Sequence, residues 1–161
     1  MRWLWIDRFE HFESGKSAVA IKAVTAAEEQ VHDLYPAFPI FPASLIVEGF
    51  AQTAGILAGE AGGFKEKVIL AKIGKADFER VVVPGDVIRY RATLDTFGQA
   101  GASVSGMASV GDETVATISM MFSHIDQNMA GLDFPEHNFV FTGQFMELLD
   151  RVRGESVKLG V

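Results

Sequence analysis

The chain has 161 residues, 48% hydrophobic and 22% charged, with no cysteine and a formal net charge of −7. That length suits a single domain able to bury roughly two-thirds of its unfolded surface, and the missing cysteine excludes a disulfide framework, a thiolate nucleophile and any Cys-ligated metal. The acidic balance disfavours nonspecific nucleic-acid binding, which rests on Lys and Arg neutralising phosphates.

In chain order, Met1 to Ile6 meet the carboxylate of Asp7 before an apolar core of signal-peptide length is complete, and no later apolar stretch is long enough for a membrane span. A cytoplasmic protein is expected. Ser17 to Thr25 is β-branched and roughly alternating after Gly15 and reads as a strand. Glu28 to Pro42 carries prolines at 36, 39 and 42, a threefold spacing that predicts an extended, stiff loop. The composition then changes: Ala43 to Ala58, stopped by Gly62-Gly63, reads as a helix that is apolar nearly all round and therefore enclosed by the rest of the protein. Ala51, Gly55 and Gly59 form a stripe of small residues along which another backbone can approach.

Strand-like runs follow at Val68 to Ile73, Asp77 to Val83, Asp86 to Thr96, Ala102 to Val110 and Glu113 to His124, divided by Pro84-Gly85-Asp86 and Gly111-Asp112-Glu113. One buried helix and a run of long antiparallel strands predict an α+β layout with the sheet wrapping the helix. The alternation stops near Ile125, so residues 1–125 are expected to form the core domain and 126–161 an appendage: a loop rich in Phe and Pro, then a short amphipathic helix, Gln144 to Val152, capped by Thr142 and stopped by Gly154. Phe145, Leu148, Leu149 and Val152 share one face, which should dock on the body or on a second subunit.

The chemistry centres on Glu48, a carboxylate in an otherwise apolar helix, with Gln52 four residues on and on the same face. Burying an unpaired charge is costly. Desolvation is expected to raise the Glu48 pKa toward the protonated state of a general acid; the competing reading is a structural charge favoured by the helix start or paired with Lys or Arg. His11, His124 and His137 show no ligand-like spacing to each other or to Asp and Glu, so no metal site is expected.

The run from His32 to Gln52, H-D-L-Y-P-A-F-P-I-F-P-A-S-L-I-V-E-G-F-A-Q, resembles the active-site segment of the FabZ-type 3-hydroxyacyl-acyl-carrier-protein dehydratases, H-F-P-x-x-P-x-x-P-G-V-L-x-x-E-x-x-A-Q. The three prolines, Leu45, Glu48, Ala51 and Gln52 match in register, and the likeness extends from residue 3 to about 124 through Leu4 to Arg8, Ala20 to Thr25, Ile69 to Phe78 and Val83 to Asp86. The resemblance implies a hot-dog fold, usually paired into a homodimer, with a trimer of dimers as the larger assembly. It also implies dehydration of a 3-hydroxyacyl chain held on acyl carrier protein, in fatty-acid or related synthesis, without a cofactor.

Glu48 then takes the acid role, on the helix of the partner subunit. The carbonyl-binding N–H falls on Ala43, where the family has Gly. The family's histidine position is occupied by Leu34, and His32, two residues earlier, is the candidate displaced base, since in extended backbone residues two apart face the same side. Leu34, Phe41 and Gln52 complete the expected substrate site, with Phe38 beside Phe41 on an acyl tunnel and Gln52 also able simply to secure the helix. Lys72, Lys75, Arg80, Arg89 and Arg91 are either a basic patch for the acidic carrier or a solvated sheet face. Two other functions stay open: a noncatalytic subunit binding acyl chain or carrier protein after loss of the base, and a thioesterase in which Glu48 directs water.

Overall fold

The computed structural model describes residues 4–125, 128–129, 132–133 and 143–154. Six strands form one antiparallel sheet: β1 (Arg8–Glu13), β2 (Ser17–Ala23), β3 (Lys67–Phe78), β4 (Val87–Gly98), β5 (Gly101–Val110) and β6 (Glu113–Ile125), in the spatial order β1-β2-β4-β5-β6-β3. A four-residue helix, α1 (Gln30–Asp33), and the long helix α2 (Ala43–Ala61) lie between β2 and β3. A two-residue pair, β7 (Asn128–Met129) with β8 (Leu132–Asp133), precedes the last helix, α3 (Gly143–Arg153). The sheet wraps α2, whose residues from Gly49 to Gly59 are all buried, and this is the α+β hot-dog layout. No helix among the described residues is long and apolar enough to cross a membrane.

The alternation of the strands supplies one wall of the core. Ala18, Ala20, Ile88, Tyr90, Ala92, Val104, Ala108, Ile118 and Met120 point inward, and the small ones among them let the sheet close on the helix. The approach is tightest at Gly49, where an added Cβ would lie 2.5 Å from the Tyr90 ring and hydroxyl. Tyr90 is itself fully buried, so it has nowhere to retreat. Gly49→Ala, normally favourable within a helix, is expected here to destabilise by about 1–3 kcal/mol through overpacking, read as a lowered denaturant midpoint.

Two expectations are corrected. Val68 to Ile73 and Asp77 to Val83 are not separate strands: β3 runs through to Phe78, with register shifts between Leu70 and Lys72 and between Ile73 and Lys75 accommodating the Gly74 region. The segment from Glu28 to Pro42 is not extended throughout, because residues 30–33 close a helical turn before the prolines begin. β1 carries no apolar alternation that would announce it; only Phe9 of its residues is fully buried. The C-terminal helix forms and ends at Gly154, where φ is +74°, a left-handed stop that glycine adopts without strain. Its expected cap Thr142 lies outside the described residues, as does most of the Phe- and Pro-rich loop.

Candidate active site

Pro42 is the N-cap of α2 and has no side-chain acceptor to offer, so the helix opens without a side-chain cap. The N–H groups of Leu45 and Ile46 turn back to the Pro42 carbonyl at 3.0 and 3.2 Å. Ala43, the first helical residue, is exposed, and no group among the described residues accepts from its N–H. An unpaired N–H at a helix start, carrying the positive end of the peptide dipoles, suits a developing negative oxygen.

Glu48 stands in the second turn and is half-buried. This departs from a helix enclosed all round, because Ala43 to Ser44 are exposed and Leu45, Val47 and Glu48 only partly covered. The amide of Gln52 donates from Nε2 to Glu48 Oε1 at 3.0 Å, while the Trp5 main-chain N–H donates to Gln52 Oε1 at 2.8 Å. Since a main-chain N–H can only donate, it fixes the amide with its oxygen toward Trp5 and its NH2 toward Glu48. Gln52 therefore orients the carboxylate and engages one of its oxygens.

Beside this pair lies an apolar cavity of about 220 Å³. Glu48, Ala51, Gln52 and Gly55 of α2 form one wall, Val68 and Leu70 of β3 and Phe122 of β6 the others, and Phe145 reaches in from α3. Among the described residues, it is the Phe122 ring that faces the small-residue stripe at Gly55, 3.6 Å from where a Cβ would stand, and not another backbone.

His32, Leu34, Phe41 and Ala43 do not line that cavity. Phe41 is placed in the core: it is buried, edge-on to Trp5 with ring centroids 6.2 Å apart, and paired through its N–H to the Val82 carbonyl at 2.8 Å. Leu34 is 55% exposed, beside exposed Tyr35 and Phe38. His32 is exposed on α1, its Nε2 2.9 Å from the Ala26 carbonyl. A carbonyl only accepts, so Nε2 carries the proton and Nδ1 is the basic nitrogen. Because Leu34 continues the helical backbone (φ −79°, ψ −46°), residues two apart are turned roughly 200° from each other and not to one side. His32 thus does not project where Leu34 does.

The approach to His32 is braced by a pair that composition did not reveal. Lys22, 2% exposed, reaches inward from β2 to Glu28 Oε1 at 2.8 Å and to the Ala23 carbonyl, 5.9 Å from the centre of the Phe41 ring. Glu28 also accepts from the Thr25 N–H at 3.0 Å and from Gln30 at 2.6 Å. Burial alone would raise its pKa, but hydrogen bonds from Lys22, Thr25 and Gln30 outweigh that and hold it below the ordinary carboxylate value.

Three of the five candidate patch residues are matched by acids: Arg80 meets Asp86 and Glu113, Arg89 meets Glu10, and Lys75 meets Asp77. Arg91 donates to Ser109. This is the solvated-face arrangement. No cluster of three metal-ligating side chains occurs among the described residues.

Comparison with known proteins agrees with this layout. Solved structures share the fold at low sequence identity: the Escherichia coli PaaI protein from the phenylacetic acid degradation operon superposes with a TM-score of 0.62 at 17% identity, over 76% of this chain and 80% of that one. The dehydratase heterocomplex ApeI:P from Xenorhabdus doucetiae gives 0.60 at 16%, over 76% and 84%. In sequence, the 3-hydroxyacyl-[acyl-carrier-protein] dehydratase FabZ of a Thermoanaerobacter species is 40% identical over 121 residues, 74% of this chain and 85% of that protein. The protein of the same name from Listeria monocytogenes is 37% identical over 125 residues, 77% and 87% respectively. The model of the FabA-like domain matches residues 1–119, and with these identities the chain belongs to the FabA-like family as a FabZ-type member.

Proposed function

We propose that this protein dehydrates a 3-hydroxyacyl thioester carried on acyl carrier protein to the trans-2-enoyl thioester, in fatty-acid or related acyl-chain synthesis in the cytoplasm. The observation that carries the reading is Glu48, oriented by Gln52 on the wall of an otherwise apolar cavity, in a chain whose relatives are named for that reaction. In this reading a base removes the proton alpha to the thioester, the C3–O bond breaks, and Glu48 gives its proton so that hydroxide leaves as water. The Ala43 N–H of a second copy, the copy that also brings the base, takes the negative charge that grows on the thioester oxygen. The base is His32, acting through Nδ1 and brought to the cavity by a second copy; its proton returns to Glu48 through water, closing the cycle.

Two surfaces support a homodimer. β3 is one of the two edges of the sheet, exposed on both faces from Leu70 to Lys75 and bearing uncovered Leu70, Ile73 and Phe78. Such an edge is a template for pairing with an identical strand about a twofold axis. The turn of Leu34, Tyr35 and Phe38 presents three further apolar side chains next to His32, the kind of patch that a partner covers.

Incubation with a 3-hydroxyacyl carrier-protein thioester is expected to yield the enoyl thioester, and turnover no higher than that of Glu48→Ala would reject the assignment. Leu34→His, which supplies the family's histidine, is expected to raise the rate. Release of free acid would mark a thioesterase. Carrier binding with turnover only after Leu34→His would mark a noncatalytic subunit.

A further inference from the structure

The family match ends at residue 119, and α3 lies beyond it, yet this helix contributes Phe145 to the cavity that holds Glu48 and Gln52. We propose that α3 is a specificity wall and that Phe145 sets the length of acyl chain the cavity admits. The inference rests on the acyl-thioester reading for the nature of the ligand, and on the geometry alone for the role of the wall.

Four observations carry it. First, α3 is docked and not dangling: Leu148 and Leu149 are buried, Phe145 and Val152 pack partly buried against the core, and Arg153 forms an ion pair with Glu60 near the end of α2. Ser14 donates to the other oxygen of Glu60 at 2.7 Å, so the anchor is shared with the β1–β2 turn. Second, the polar groups of the cavity are confined to Glu48 and Gln52, and everything else facing it is small, aliphatic or phenyl. A ligand with a polar reacting end and a hydrocarbon tail matches that division. Third, the α2 wall leaves room through Ala51 and Gly55, so the bulk that limits the space comes from Phe122 and Phe145.

Fourth, the size is finite. The helix advances about 10 Å from Glu48 to Gly55, and a cavity of roughly 150 Å³ takes a benzene ring. The 220 Å³ here therefore holds roughly one and a half such rings, which puts Phe145 within reach of a tail that starts at Glu48. Replacing the phenyl of Phe145 lengthens the admissible tail, and a larger ring shortens it.

The test measures kcat/KM for a ladder of 3-hydroxyacyl carrier-protein thioesters from four to sixteen carbons, with wild type, Phe145→Ala and Phe145→Trp. In parallel, calorimetric Kd values are taken for saturated acyl-pantetheine thioesters of the same lengths, which have no 3-hydroxyl to lose. Phe145→Ala is expected to move the optimum to longer chains, improving the long-to-short ratio by about fourfold per methylene newly accommodated. Phe145→Trp is expected to move it to shorter ones. Opposite shifts distinguish a wall from mere undocking of α3, which would change both variants in the same direction. Parallel length profiles for all three proteins in the binding series overturn the proposal, and so does the absence of any length dependence in wild type. Absence of turnover with length-dependent binding intact would instead reject the dehydratase reading and leave the wall standing.

Discussion

Glu48→Gln is expected to lower dehydration by about 10²- to 10⁴-fold, the usual contribution of a positioned general acid or base, while leaving the unfolding midpoint nearly unchanged. The substitution isolates the proton. A glutamine at 48 has the same shape, and its carbonyl oxygen can still accept from Gln52 Nε2, which now sits 3.0 Å from Glu48 Oε1. The Trp5–Gln52 link, 2.8 Å long, is untouched. What is lost is the ability to deliver a proton to a leaving hydroxyl. The measurement is single-turnover formation of enoyl thioester together with thermal unfolding of the same preparation. Retained turnover would remove Glu48 from the mechanism, and a large drop in stability would show that its charge is structural.

Lys22→Ala carries the largest expected cost to the fold. It strands the Glu28 carboxylate without the ammonium that meets it at 2.8 Å, and breaking a buried pair in this way typically costs about 3–5 kcal/mol. Replacing both partners, as in Lys22→Met with Glu28→Leu, is expected to cost much less, because no charge is left unpaired. A double-mutant cycle from denaturant titrations gives the coupling.

The same pair sets an acid limb. The Glu28 pKa is lowered in the folded protein from the ordinary 4.5, so its contribution is fully present above that value and is lost as pH falls through the lowered one. Stability should therefore decline below about pH 4.5, and Glu28→Gln should flatten that decline. Because Glu28 accepts from the Thr25 N–H and from Gln30, the turn leading to His32 is expected to loosen over the same range, visible as faster amide exchange at Thr25.

Long alternating strands were legible because inward positions recur at every second residue, as in β4, where Ile88, Tyr90 and Ala92 are buried in turn. Glu48 and Gln52 were legible because two polar residues four apart in an apolar helix must share a face. β1 was not, since its sequence Arg-Phe-Glu-His-Phe-Glu is charged and its pairing to β2 depends on the main chain. α1 was hidden because four residues show no helical period and the prolines after it dominate the local reading.

The inward turn of Lys22 was hidden for a different reason. At its place in the alternation it read as one more strand residue, and the carboxylate that pairs its buried charge lies six residues on. An amphipathic pattern predicted that α3 docks, but the destination of Phe145 depends on a connection whose course no periodicity encodes.

The donor that holds Gln52 belongs to the peptide plane of residue 5 and not to an indole. Trp5→Pro, which deletes that N–H, therefore removes one of the contacts that orient the amide, whatever ring stands at the position. A change confined to the main chain at residue 5 thus reaches Glu48, through Gln52, from outside the cavity.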